Sequence, residues 1–195
     1  MGNLLSFTNN DDNSTLSNTS GSFLQSGIPS KAASLRCEAR QLMFEAKAAS
    51  QQSQYEYHYG NKSQAKVLST KKNHLYKQMG EKNQQAARLI FEHFNRDRSY
   101  NVIDLHGLYV NEALEYLEHR LAICRSENIL KLTVITGMGN NSPNKIAKIK
   151  PQVEKFVREN CLKVTGYSGH IEIDLSTNNE PTAGSYQNTN GCIIL

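Results

Sequence analysis

No two cysteines in this chain lie near each other. Cys37, Cys124, Cys161 and Cys192 are scattered, so no zinc or redox motif forms among them. No apolar run approaches the roughly 18 residues a membrane-crossing helix needs, and no secretory signal is present. These absences exclude a transmembrane span and predict reduced thiols in a cytoplasmic setting. Apolar matter is scarce too: hydrophobic residues are 38% and the mean hydropathy is −0.58. That is too little to bury all 195 residues, so part of the chain is expected to stay disordered. Positive charge is missing from both ends. Residues 1–30 carry two acids and no base, and the last twenty carry only Glu180.

The basic residues sit in between. Residues 31–100 hold 13 Lys and Arg against 6 Asp and Glu, whereas residues 101–175 hold 9 of each. An excess of +7 confined to one segment predicts an anionic partner there, a nucleic acid or a lipid surface.

Four regions follow from the patterning. Residues 1–30, with "NNDDNSTLSNTSGS", read as a disordered tether, and residues 176–195 as a disordered tail. Residues 31–98 read as a helical hairpin. Leu35, Ala39, Leu42, Met43 and Ala46 form one stripe. Val67, Leu68, Leu75, Met79, Ala86, Leu89, Ile90 and Phe94 form the other, and Gly60-Asn61 makes the turn. From residue 101 to 175 the element types alternate. "NVIDL" and "KLTVIT" are strands, "VNEALEYLEHRLAICRSEN" is an amphipathic helix, and "LKVTGYSGHIEIDL" is two strands about Ser168-Gly169. "KIAKIKPQVEKFVREN" is a helix with Ile146, Ile149, Val153, Phe156 and Val157 inward, which either begins near Pro151 or kinks there. The order is βαβαββ, a small two-layer α/β sandwich.

Asp104 and His106 interrupt the first strand. Side chains alternate along a strand, so these two share one face while Ile103 and Leu105 share the other. Ligands of open α/β sheets gather at the carboxyl ends of strands. There a His can move protons near neutral pH and a neighbouring carboxylate can orient it. The plain alternative is that His106 bonds a turn and Asp104 caps a helix. "TGMGNNS" follows the second strand. Its Gly137 and Gly139 allow backbone amides to approach a phosphate, with Ser142 close by, although a simple Gly-rich turn has the same composition. No GK[ST] follows, which excludes a nucleoside-triphosphate loop. Lys145, Lys148 and Lys150, with Lys155 and Arg158 beyond them, can track phosphates or form a solvated face. Tyr55, Tyr57 and Tyr59 are placed in core or turn packing by the usual burial of tyrosine, with base stacking as the alternative. No metal-ligand set is visible, and nothing identifies a cofactor.

The "DLHGL" at 104–108 with "TGMGNNS" at 136–142, on successive strand-turn-helix units, resembles the Smr (small MutS-related) domain family. Residues 31–98 resemble the extension of unknown function that often precedes eukaryotic Smr domains. The resemblance implies a fold like the C-terminal domain of bacterial translation initiation factor three. It also implies nucleic-acid binding, with endonuclease activity in several members, including on RNA. No small-molecule substrate is expected. Asp104 and His106 would then be catalytic, with His106 deprotonating the 2′-hydroxyl or protonating the leaving oxygen; the alternative is a non-catalytic, lipid-tethered nucleic-acid-binding or adaptor protein. The chain departs from the family pattern at Met138, often basic, and at Asn141, often His, which touches cleavage more than binding.

Both ends carry lipidation patterns. "MGNLLS" offers Gly2 for myristoylation, and "CIIL" offers Cys192 for prenylation, its terminal Leu favouring geranylgeranyl. Two lipids anchor stably where one myristoyl chain binds only marginally, which predicts association with the cytosolic face of a membrane.

Overall fold

A computed structural model describes residues 27–139 and 146–176. The tether and tail, including Gly2 and Cys192, lie outside the described residues, as do Asn141, Ser142 and Lys145. Eight elements are present among the described residues: α1 (Ser30–His58), α2 (Lys62–Asn95), β1 (Val102–Asp104), α3 (Val110–Ser126), β2 (Lys131–Ile135), α4 (Ile149–Glu159), β3 (Lys163–Gly166) and β4 (His170–Asp174).

Helices α1 and α2 pair along their length, turning at Gly60, whose φ of +84° suits the residue without a Cβ. Their seam is built from small residues. Ala32, Ala39, Ala46 and Ala49 of α1 and Ala65, Ala86 and Ala87 of α2 are buried, with Leu35, Leu75 and Ile90 between them. Alanine favours helix and lets two backbones approach closely. Gly80 does not interrupt α2. Four positions read as packed point to solvent instead. Val67 is exposed because Ala65 and the half-buried Leu68 carry the seam, and Val67 stands one residue, or about 100°, off that line. Tyr55, Tyr57 and Tyr59 are likewise exposed at the far tip of the hairpin, where none of the described residues covers them.

The sheet order is β1-β2-β4-β3, with β1 parallel to β2 and β4 antiparallel to both its neighbours. Alternation puts Ile103, Leu132, Val134, Ile171 and Ile173 on one face, all fully buried. There they join Leu117, Leu121 and Cys124 of α3 and Val153 and Val157 of α4 in a single core. The βαβαββ order read from the sequence is the order observed. Helix α4 begins at Ile149, so Pro151 lies in its first turn, where a missing N–H costs no helical bond. Ile146 precedes the helix and is exposed rather than inward.

The hairpin's base is continuous with this core. Ala32, Leu35, Ala86, Ala87 and Ile90 belong to the same buried cluster, and the Phe91 ring stacks on Tyr116 of α3 at 3.9 Å. Arg36, only 5% exposed, fixes the joint. Its Nη1 and Nη2 donate to Glu112 Oε1 and Oε2 of α3 at 2.7 and 2.5 Å. Nη1 also donates to Asn83 Oδ1 of α2 at 2.9 Å, and the guanidinium lies 3.9 Å over the Tyr109 ring. The buried guanidinium is thus held by a carboxylate, a carboxamide and a ring from neighbouring helices and the turn before α3.

Candidate functional site

β1 is an edge strand of three residues, and its outer backbone groups are satisfied by side chains. Asn95, the last residue of α2, accepts the Asp104 N–H at 2.8 Å through Oδ1 and donates to the Asp104 carbonyl at 2.8 Å through Nδ2. One carboxamide thus stands in for a neighbouring strand. Arg120 of α3 donates to the Val102 carbonyl at 3.0 Å. The edge is closed, as exposed edges generally must be, and the closure pins the end of α2 against Asp104.

The Asp104 side chain is 3% exposed. Its Oδ2 accepts Arg98 Nη2 at 2.8 Å. Its Oδ1 contacts His106 Nδ1 at 2.5 Å and accepts the His106 backbone N–H at 3.1 Å. An ionised carboxylate only accepts, so the ring nitrogen facing it carries the proton. That fixes the tautomer and leaves Nε2 as the nitrogen not engaged by Asp104. The ring is one-third exposed and rests on Phe94 of α2, 3.9 Å between centroids. Arg98 is itself held by donating Nε to the Phe94 carbonyl at 2.8 Å. The site therefore takes Phe94, Asn95 and Arg98 from the hairpin and its linker, and Asp104 and His106 from the sandwich.

Gly107 turns the chain away after His106 with φ +81°. A Cβ there would make ordinary contact with Ile28 and Ile90 at 3.4–3.5 Å, so the left-handed backbone rather than lack of space calls for glycine. Gly137 and Gly139 have φ of +74° and +80°. A Cβ on Gly137 would lie 3.2 Å from His106 Cβ, which puts the second glycine loop directly beside the histidine. The Thr136 and Gly137 N–H groups both donate to the Gly169 carbonyl, at 3.0 and 3.1 Å. The Gly137 amide thus ties the loop to the β3–β4 turn. Gly139 packs against the backbone of Ala147 just before α4. Met138 is exposed beside Gly169.

Lys148 is exposed at the start of α4, and Lys150 donates to the Tyr167 carbonyl. Further along, Lys155 pairs with Glu159 and Arg158 with Glu154, each at i,i+4. Much of the positive charge of this helix is thus matched within the helix. Among the described residues no cluster of His, Cys, Asp and Glu is arranged to hold a metal ion.

Asp104, His106, Gly137 and Gly139, singled out from the sequence, converge at the carboxyl ends of β1 and β2. Arg98, Asn95 and Phe94 were not legible there, because their roles come from the way α2 ends against β1.

The Smr domain family model matches residues 103–170, and the model for a domain of unknown function, DUF1771, matches residues 33–95. The chain is 38% identical to the B3BP Smr domain, whose solution structure it covers over 97% of that chain and 49% of its own, with a TM-score of 0.40. The chain belongs to the Smr domain family. Among curated relatives, endonuclease NBR9 of Saccharomyces cerevisiae is 43% identical over 123 residues, which are 63% of this chain and 49% of that protein. A Smr domain-containing protein of Schizosaccharomyces pombe is 33% identical over 113 residues, 58% of this chain and 55% of that one. The chain spans about half the length of these two relatives. Human NEDD4-binding protein 2 is 37% identical over 125 residues, 55% of this chain but 7% of its own length. The Smr match begins at Ile103 and the extension match ends at Asn95, so Arg98 falls between them. Within this Smr chain no helix among the described residues is long and apolar enough to cross a membrane.

Proposed function

We propose that this Smr protein binds nucleic acid, RNA in preference to DNA, at the carboxyl ends of β1 and β2, and cleaves it there with His106. The observation that carries the reading is the buried Asp104 holding His106 by Nδ1. A base held in one tautomer, with its other nitrogen unengaged by that carboxylate, suits proton transfer. In RNA cleavage Nε2 would take the 2′-hydroxyl proton as that oxygen attacks phosphorus, or would protonate the departing 5′-oxygen. The products are a 2′,3′-cyclic phosphate and a 5′-hydroxyl. Asp104, with Arg98 behind it, orients the ring and balances the charge of the imidazolium. The name of the yeast relative, an endonuclease, supports the reaction class. Gly137 and Gly139 shape the loop beside the scissile phosphate. Ser142, Lys145, Lys148 and Lys150 are its proposed phosphate contacts, of which Lys148 and Lys150 lie among the described residues.

Labelled RNA incubated with the purified chain tests this. Asp104→Asn and His106→Ala should each remove most cleavage without unfolding the domain, and together should lose less than the product of the two effects. A substrate with 2′-deoxy at the cut should be bound but not cut. Cleavage of that substrate would refute the 2′-hydroxyl route.

Membrane tethering through Gly2 and Cys192 is a separate proposal, resting on the two terminal motifs. A prenyl chain buries many methylenes at about 0.8 kcal/mol each. Cys192→Ser should therefore shift the protein from the membrane fraction, with Gly2→Ala doing so partially. An unmodified mass at both ends would rule tethering out.

A further inference from the structure

The far tip of the hairpin is built unlike the rest of its surface. Tyr55, Tyr57 and Tyr59, at and just past the end of α1, are 55%, 65% and 66% exposed, with no described residue covering them. The Tyr55 and Tyr59 rings meet at 4.5 Å, and His58 stands edge-on to Tyr59 at 6.2 Å. A groove of about 470 Å³ opens beside them, lined by Tyr57 and His58 on α1 and by Lys62 and Lys66 on α2, among others. Over residues 51–79 five lysines (62, 66, 71, 72 and 77) face one acid, Glu56. Glu56 is itself bonded to Gln52 and Asn61. Among the described residues the hairpin's ion pairs are Arg36–Glu112, Lys82–Glu38 and Arg88–Glu92, so none of the five lysines is matched by an acid. Helix α4 is the contrast, with its Lys and Arg paired to Glu within the helix.

Exposed aromatic rings interleaved with unmatched cations are what a single-stranded nucleic acid recognises, bases on rings and phosphates on ammonium groups. We propose that the hairpin tip, Tyr55, Tyr57 and Tyr59 with Lys62 and Lys66, is a second binding site for single-stranded RNA, remote from His106. Helix α2 sets the separation. Its 34 residues at about 1.5 Å each span about 50 Å between the tip and Asn95. At about 3.4 Å per stacked nucleotide that distance corresponds to about 15 nucleotides. A longer strand reaches both ends, so the tip would retain or orient a substrate whose cut lies at the other end. The inference rests on the nucleic-acid reading above for its ligand class only.

The chain has no tryptophan, which supplies the test. In the full chain, Tyr57→Trp places a single indole at the tip. Titration with a 30-nucleotide unstructured RNA should quench its emission as a base stacks on it. The same quench should persist with His106→Ala added, which separates this site from the one at β1. Changing Tyr55, Tyr57 and Tyr59 together to Ala should weaken binding of that RNA about tenfold. The matching Phe variant keeps the rings and should retain affinity. Lys62→Gln with Lys66→Gln should reduce the log–log salt slope by about 0.7 for each phosphate no longer neutralised. Emission unmoved at saturating RNA, or equal affinity in the Ala and wild-type chains, would overturn the proposal. Vesicles containing phosphatidylserine form the other arm. A blue shift on vesicles with no response to RNA would assign the surface to lipid and would also overturn it. A quench in the Tyr57→Trp chain with His106 intact, but without cleavage of any RNA, would count against the cutting reaction alone.

Discussion

Arg98 donates to Asp104 across 2.8 Å, on the carboxylate oxygen opposite the one that holds His106. The arginine belongs to the linker after α2, and the aspartate to the first strand of the sandwich. Removing Arg98 leaves a buried carboxylate with one partner fewer. Arg98 is partly exposed, so the loss is smaller than for a fully buried pair, about 1–2 kcal/mol. Urea unfolding of Arg98→Ala measures it. Asp104→Asn in the same chain should recover part of the loss, since the uncompensated charge is then gone.

Asn95 satisfies both the N–H and the carbonyl of Asp104. Asn95→Leu should leave two backbone groups without partners at about 1 kcal/mol or more each. The Asp104 amide should exchange with solvent at least tenfold faster, read by hydrogen-exchange NMR. Unchanged exchange would show that water replaces the carboxamide without cost.

The two loop glycines should fail differently. At Gly139 a Cβ would lie 2.7 Å from Ala147 Cα, a backbone atom that cannot rotate aside, and φ is +80°. Gly139→Ala should cost about 2 kcal/mol or more, from strain and clash together. At Gly137 the Cβ meets the base of the His106 side chain at 3.2 Å, which can yield slightly. Gly137→Ala should displace the ring, lowering cleavage by more than its effect on melting temperature would suggest.

Burial pushes the Cys124 thiol up, against a smaller downward pull from Arg120. A raised value means less thiolate, so Cys124 should react slowly with a thiol reagent at pH 8, while the exposed Cys37 and Cys161 react early. Because the folded value lies above the unfolded one, this group's contribution to stability is complete below the unfolded thiol range. It declines as pH rises through and beyond that range. Mass spectrometry after timed alkylation, with and without denaturant, checks the first point, and unfolding at pH 7 and 10 the second.

Periodicity made most of the architecture readable. Leu132 and Val134 alternate as a half-buried strand must, and Leu35, Ala39 and Ala46 repeat as a helix seam must. The glycine and Asp-x-His signals located one end of the sheet. What stayed hidden depends on contacts distant in sequence. Arg36 reads as a surface charge because its partner Glu112 is 76 residues away. Asn95 and Arg98 read as a polar helix end because their use depends on where α2 stops relative to β1. The tyrosines at 55, 57 and 59 were misplaced because the general burial of tyrosine says nothing about a helix tip that outruns its neighbours.

Linkers between domains ordinarily tolerate added or deleted residues, since little is fixed at either end. The one joining the hairpin to the sandwich is clamped at both, by Asn95 on the Asp104 backbone and by Arg98 on the Asp104 side chain. Its length is therefore a coordinate of the site. A transplanted extension of equal helicity, joined one residue longer or shorter, would bring a different side chain to each of those contacts. The two regions therefore behave as a single unit whose spacing is fixed at the joint.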